Sequence, residues 1–346
     1  MRQFRVALSA DFTRPDGKPA FPMFDLSPLN KAQGVSWSYV PVSEGRIAAA
    51  DMEEFDALIL LGARFDAESF PGDGRLALIA RFGVGYDTVD VAACNHNDVA
   101  LTITPNGVRR PVAVAIITLL LALAGRLLVK DRLTRQGPDG WAQKAAHMGD
   151  GLDGRVLGSV GVGNIGAEMF RMAQPFGMRF AAADPFADAQ LAKDLGIELV
   201  SLEELFRRSD YLAVNCPLSP ETKGLVNAEH LALMKPTAFL INTARGPIVD
   251  EAALTFALQS GQLAGAGLDV FEAEPAAADN PLFKMDNVIA TPHALCWTDQ
   301  CFAGIGADDI AAVLAVARGD QPVGLVNRQI SENPRWRAKL EAFAAR

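Results

Sequence analysis

The sequence predicts an α/β protein built on two doubly wound parallel sheets. Short apolar runs alternate with longer helix-period segments along nearly the whole chain, the pattern of βαβ units. A length of 346 residues suits two domains better than one or three, at roughly 100 to 200 residues per domain. Half of the residues are apolar, so a chain this long buries a sizeable core without disulfide or metal staples.

The first layer takes strand-like runs at 4–9, 35–40, 57–62, 76–82 and 100–104, with gaps that hold short helices at most. Next comes an apolar run at 112–125. Its 14 uncharged residues fall short of the ~18 to 20 of a spanning helix, and Arg126 and Lys130 follow, so it reads as a buried helix. Residues 135–140 look like an exposed arm. The second layer opens at 155–160 and continues with 179–184, 210–216, 238–243, 265–270 and 287–291. Ser201-Leu202-Glu203-Glu204 fits a capping box, and Ser260-Gly261 ends a helix over 251–259. After Pro292 come a helix over 299–317 and an extended piece over 322–327 that returns to the first layer. That layer is then discontinuous: residues 1–106 with 295–346 form one domain and 107–294 the other. From Ser331 the tail reads as a polar surface helix or a frayed end, and the stretch 12–24 as a covering loop or an exposed connection.

Charge and cysteine use narrow the function. Lys plus Arg number 32 against 41 Asp plus Glu, a net charge of −9, the wrong sign for gripping nucleic acid or an anionic membrane. The four cysteines, Cys94, Cys216, Cys296 and Cys301, lack CxxC spacing and read as free thiols of a reducing compartment, with cytoplasm the default. The N-terminal residues carry no secretory pattern.

The strongest local signal is Gly161-Val162-Gly163-Asn164-Ile165-Gly166, which follows a strand and opens a helix. Gly161 permits the tight turn, Gly163 lets the backbone approach a pyrophosphate, and Gly166 lets helix pack on strand. The helix N-terminus offers free N–H groups to the anion. Asp184 ends the next strand about 20 residues on, where an acid accepts the ribose hydroxyls and repels a 2′-phosphate. The expected cofactor is NAD rather than NADP, on a Rossmann-like domain.

Five further segments accompany this turn: Arg81-Phe82-Gly83-Val84-Gly85-Tyr86-Asp87; Asn215-Cys216-Pro217-Leu218-Ser219-Pro220-Glu221-Thr222; Asn242-Thr243-Ala244-Arg245-Gly246-Pro247-Ile248-Val249-Asp250; Gly267-Leu268-Asp269-Val270-Phe271-Glu272-Ala273-Glu274-Pro275; and Thr291-Pro292-His293. With them the chain resembles the D-isomer-specific 2-hydroxyacid dehydrogenases from about residue 56 to 327. The resemblance implies hydride transfer between NADH and a small 2-keto acid, with a smaller flavodoxin-like domain that binds the substrate as a lid beside the Rossmann-like one.

Such a reaction needs a cation for the carboxylate and carbonyl, a proton donor for the oxygen, and a positioned hydride. Arg245 offers a planar guanidinium fork. His293 gives a proton in reduction and takes it in oxidation. By the resemblance, Glu274 contacts His293 and raises its pKa. A lone arginine after a strand is ordinarily a surface ion-pair residue, and a lone histidine a core residue; the three together displace those readings. The resemblance also places the backbone N–H groups of Val84 and Gly85 on the substrate carboxylate and Asp269 on the nicotinamide amide. Cys216, Pro217, Thr222, Thr243 and Ala244 would line the cofactor, and Cys216, with no base beside it, is no nucleophile.

Departures bear on the substrate. Asn215 stands where many members have histidine, the segment 108–113 is basic where they carry an acid, and Leu295-Cys296-Trp297 makes a bulkier wall after His293. Residues 1–106 announce no phosphate site, which favours a glyoxylate-like or hydroxypyruvate-like substrate over a 3-phosphoglycerate-type reaction. An NAD-sensing binding protein of the same fold and an S-adenosylmethionine-dependent methyltransferase are the rivals. Zinc on His293, Cys296 and Cys301 lacks a fourth ligand and the usual spacing, so no metal is expected. The apolar helix and the arm near Trp141 point to a homodimer.

Overall fold

The computed structural model describes residues 3–345; residues 1, 2 and 346 of the expected first domain lie outside the described residues. The chain divides into two compact units, one formed by residues up to Val108 together with those from Trp297, the other by Arg109–Cys296. The divisions fall two residues beyond those expected at 106 and 294.

The first unit holds a parallel sheet of β1 (Phe4–Ser9), β2 (Val35–Val40), β3 (Ala57–Leu60), β4 (Leu78–Arg81) and β5 (Ala100–Thr102). The order is β2-β1-β3-β4-β5, the flavodoxin-like arrangement. Strands β3 and β4 are buried on both faces apart from Arg81, which is why they read as continuous apolar runs rather than alternating ones. The extended piece near Leu325 bridges antiparallel to Thr102, and buried Asn327 accepts the Leu101 N–H at 2.9 Å and donates to Val99 O at 2.9 Å. This contact joins the C-terminal stretch to the sheet.

The tail is not frayed. The helix Pro334–Ala344 buries Trp336, Leu340 and Phe343, spaced i, i+4, i+7 on one face, and Trp336 Nε1 donates to Ala77 O at 2.9 Å. Nor is 12–24 a bare connection: Phe21 stacks on Phe302 at 4.2 Å, and Phe12 and Phe24 each meet Phe82 at 5.0 Å.

The second unit holds β6 (Val156–Val160), β7 (Arg179–Ala183), β8 (Ile197–Leu199), β9 (Tyr211–Val214), β10 (Phe239–Asn242), β11 (Gly265–Leu268) and β12 (Val288–Ala290), all parallel, in the order β12-β11-β10-β9-β6-β7-β8. The order reverses at β6, and in such sheets ligands bind beyond the carboxyl ends of the strands at this switch point. Ser201 caps its helix by accepting the Glu204 N–H at 3.3 Å, but the Glu204 carboxylate pairs with Arg208 at 3.8 Å instead of closing the box.

The long apolar helix is Pro105–Ala124. Its residues Ala113, Ile116, Ile117, Leu119, Leu120 and Leu123 pack in a core with Leu157, Phe170, Phe180, Tyr211 and Ile241. A side chain on Gly267 would press into Leu119 and Leu123, so this glycine lets helix and sheet approach. By length and apolarity this helix and Asp299–Ala317 would each suffice to cross a membrane, yet 61% of the first apolar stretch and 50% of the second is buried in the folded chain.

Candidate active site

Every residue expected on the cofactor lies beyond a strand's carboxyl end, in the loop that follows it or, for Asn164, Ile165 and Gly166, in the first turn of the helix after β6. Gly161, at φ +96°, turns the chain after β6, where a side chain would meet the Asn215–Cys216 backbone at 3.0 Å. The helix Asn164–Ala173 starts close enough that a Cβ on Gly166 would lie 2.7 Å from the Gly161 carbonyl oxygen. Gly163 and Asn164 are exposed, Ile165 is half-buried, and nothing stands within 4 Å of where a Gly163 side chain would project. The turn is thus open on the side a pyrophosphate would approach.

Asp184 follows β7 and accepts the Val162 N–H at 2.8 Å on one oxygen and the Phe186 N–H at 2.8 Å on the other. Cys216 and Pro217 follow β9, and burial pushes the Cys216 thiol up to about 11, so it is protonated near neutral pH. Thr222 turns into its own loop, donating to Pro217 O at 2.6 Å and accepting the Ser219 N–H at 2.8 Å. Thr243, beside Ala244 after β10, keeps a buried hydroxyl oxygen without a hydrogen-bond partner among the described residues. An open glycine turn, an acid beyond the neighbouring strand and an orphaned hydroxyl together fit a bound dinucleotide.

The chemistry-bearing residues converge through backbone crossings. Asn242, 1% exposed, accepts the Ala244 N–H at 3.0 Å and donates to Arg245 O at 3.0 Å, fixing the loop that carries Arg245. A Cβ on Gly246 would lie 1.9 Å from the Phe271 carbonyl, so this loop lies directly against the segment leading to Glu274. The Arg245 guanidinium donates to Ala244 O at 2.7 Å.

Glu274 accepts the Phe271 N–H at 2.9 Å on Oε1, and its Oε2 lies 2.7 Å from His293 Nδ1. Burial raises the Glu274 carboxyl, but the hydrogen bonds from His293 and Phe271 and the charges of His293 and Arg245 outweigh it and hold the group below its ordinary value. Glu274 is therefore ionised beside the ring.

His293 itself sits at φ +53°, a left-handed conformation uncommon for a residue with a side chain. Asp269, 3% exposed, holds the surrounding loop: its Oδ1 accepts the Thr291 hydroxyl at 2.6 Å and the Ala294 and Leu295 N–H groups at 3.0 and 3.2 Å. Its Oδ2 takes the Leu295 N–H at 3.2 Å and keeps lone-pair capacity.

Sequence reasoning missed Asn242, Gly246 and this role of Asp269. A polar residue closing an apolar strand was the available signal for Asn242; the other two depend on chain crossings. The basic segment has a local partner: Arg110 pairs at 2.9 Å with the nearly buried Glu168 of the helix after the glycine turn.

In the other unit, Phe82 donates its N–H to Leu60 O at 2.8 Å, and Gly83, at φ +123°, exchanges hydrogen bonds with Thr104 at 3.0 Å. Among the described residues no hydrogen bond engages the N–H groups of Val84 and Gly85.

A switch-point sheet with an open glycine turn defines a dinucleotide-binding α/β protein, and the Arg-Glu-His set gives it the groups of an oxidoreductase. Residues 117–294 match the family described as D-isomer specific 2-hydroxyacid dehydrogenase, NAD binding domain. A glyoxylate reductase of Korarchaeum cryptofilum is 39% identical over 284 residues, 81% of this chain and 85% of the relative. Among solved structures, the TT0316 protein of Thermus thermophilus superposes with a TM-score of 0.79 at 32% identity, covering 93% of this chain and all of the other. The D-mandelate dehydrogenase of Rhodotorula graminis gives 0.79 at 27% identity, covering 94% and 98%. The chain belongs to the D-isomer-specific 2-hydroxyacid dehydrogenase family. It is an NAD-dependent oxidoreductase that interconverts a 2-keto acid and a 2-hydroxy acid.

Proposed function

We propose that the chain reduces a small 2-keto acid of the glyoxylate or hydroxypyruvate kind to the D-2-hydroxy acid, through Arg245, Glu274 and His293. The observation that carries this is the 2.7 Å contact between His293 Nδ1 and an ionised Glu274, with Arg245 brought to the same segment by Gly246. Names of relatives support the substrate: glyoxylate reductases of Korarchaeum cryptofilum and Pyrococcus horikoshii are 39% and 36% identical to this chain.

Arg245 holds the substrate carboxylate and polarises the C2 carbonyl with its fork of N–H donors. His293, oriented through Nδ1 by Glu274, presents Nε2 to the carbonyl oxygen and gives it a proton; in oxidation the same nitrogen takes the proton back. Bound NADH supplies the hydride that C2 receives. The cofactor is assigned to Gly161, Gly163, Asn164, Ile165 and Gly166 at the pyrophosphate, Asp184 at the ribose, and Cys216, Pro217, Thr222, Thr243 and Ala244 along the walls, with the spare capacity of Asp269 Oδ2 for the nicotinamide amide. In the five-stranded unit, the N–H groups of Val84 and Gly85, unengaged among the described residues, are available to a carboxylate.

The reading is extended to a homodimer in the cytoplasm. The support for the dimer is a set of exposed apolar side chains, Leu127, Leu128, Trp141 and Met148, at or near the helices Leu127–Arg135 and Pro138–Ala142.

The test is NADH consumption with glyoxylate, hydroxypyruvate, pyruvate, phenylpyruvate, oxaloacetate and 3-phosphohydroxypyruvate, repeated with NADPH. Turnover of glyoxylate or hydroxypyruvate with NADH supports the assignment. A preference for the phosphorylated compound, or no turnover with NADH bound, overturns it.

A further inference from the structure

One peptide plane in the glycine turn is gripped at both ends. The carbonyl of Gly161 accepts the Ser159 hydroxyl at 2.6 Å, and the N–H of Val162, in the same peptide unit, donates to Asp184 Oδ2 at 2.8 Å. Ser159 is wholly buried within β6, and its oxygen accepts Nδ2 of Asn215 at 2.9 Å. The direction of this chain is dictated by chemistry. A hydroxyl has one proton, which Ser159 gives to Gly161, so the group facing its oxygen from Asn215 must be a donor and is the amide nitrogen. The same nitrogen lies 3.7 Å from Met169 Sδ, and the Asn215 backbone N–H donates to Val160 O at 2.8 Å.

We propose that Asn215 and Ser159 are positioning residues for the dinucleotide, acting through the Gly161–Val162 peptide and Asp184. The chain Asn215 to Ser159 to Gly161 turns that carbonyl inward, against the helix start, while the Gly161 N–H is held by Ala183 O at 2.9 Å. The N–H of Gly163, engaged by no hydrogen bond among the described residues, is left for a phosphate. The other end of the same peptide takes up one lone pair of Asp184 Oδ2. It thereby fixes the carboxylate rotamer, with the remaining lone pairs left for ribose hydroxyls. Four segments, the ends of β6, β7 and β9 and the turn itself, are held by three hydrogen bonds that no ligand has to form. Such preorganisation raises affinity because the ordering is already done when the ligand arrives. Neither residue touches the reacting atoms. Asn215 was singled out in the sequence only as a departure from histidine, and Ser159 as a polar residue inside an apolar strand carried no signal of its own.

This rests on the cofactor assignment above, and the experiment separates the two. NADH affinity is measured by titration calorimetry on the full chain for Ser159→Ala, Asn215→Asp and the double variant, with KM for the keto acid at saturating NADH and Tm alongside. Asn215→Asp keeps the shape but offers an acceptor, which competes with Gly161 for the single hydroxyl proton. Each single variant is expected to weaken NADH binding about tenfold, the worth of one hydrogen bond. The double variant is expected to lose little more than either single one, because the two act in one chain. The keto-acid KM should stay within about twofold. Unchanged NADH affinity in both single variants, losses that multiply in the double variant, or an equal rise in both substrates' constants overturns the proposal. A wild-type protein that binds no NADH removes the cofactor assignment itself.

Discussion

Nδ1 of His293 lies 2.7 Å from one oxygen of Glu274, while the Phe271 N–H holds the other oxygen at 2.9 Å. The carboxylate is thus fixed by its own chain before it orients the ring, and in the proposed function the ring's second nitrogen serves the substrate. An orienting acid on one nitrogen and a reacting oxygen at the other is the division of labour a proton-transferring histidine needs.

Glu274→Gln keeps the shape and removes the charge. We expect kcat to fall about a hundredfold, in the range general acid-base catalysis supplies, with NADH affinity unchanged. Steady-state kinetics and a binding titration decide it; wild-type kcat would show that the ring needs no carboxylate. The pair also carries a pH signature. A carboxyl held below its ordinary 4.5 contributes stability that is full above that value and disappears as pH falls through the depressed one. The wild-type advantage in Tm over Glu274→Gln should therefore shrink only in that acid window.

Gly246→Ala places a methyl group 1.9 Å from the Phe271 carbonyl, far inside contact distance. The Arg245 loop must shift, and displacement of a catalytic group by about 1 Å costs about a hundredfold in rate. We expect kcat/KM to drop by at least that factor in a folded protein, judged by circular dichroism; full activity would mean that the crossing does not place Arg245.

Lys339 tests the packing of the C-terminal helix. Its ammonium donates to Leu76 O at 2.7 Å and to Asp98 O at 3.1 Å, and burial lowers it to about 8, from 10.5, against the pull of Asp98 and Asp73. Between those values the unfolded chain binds more protons than the folded one, so stability rises with pH across this window, and the penalty is full below it. Relative to Lys339→Met, the wild-type Tm should gain as pH goes from about 8 to about 10; a flat or falling difference contradicts the burial argument.

The exposed Leu128 and Trp141 predict association. Light scattering at micromolar concentration should give a dimer, and Leu128→Glu with Trp141→Asp should give a monomer. A monomeric wild type would remove the homodimer.

Much of this was legible in the residues. Alternation of apolar runs located eleven of the twelve strands, β1 and β2 to the residue and the other nine with ends set one or two residues too long where the chain leaves the ladder. The strand that escaped, Ile197–Leu199, is a three-residue sheet edge with exposed Glu198 and Leu199, too short and too polar to signal. Trp336, Leu340 and Phe343 had the spacing of a docked helix, but the charges between them read as surface. Arg245, Glu274 and His293 stood out because each sits in a distinctive motif. Asn242 and Gly246 did not, since their work is done across a crossing of two loops that only the folded backbone reveals.

The central claim is that Arg245 anchors the keto acid while the dinucleotide binds independently of it. The direct measurement is kcat/KM for glyoxylate together with NADH affinity for Arg245→Ala and wild type. The account predicts a fall in kcat/KM by orders of magnitude with NADH affinity retained. Turnover near the wild-type level in Arg245→Ala would contradict it.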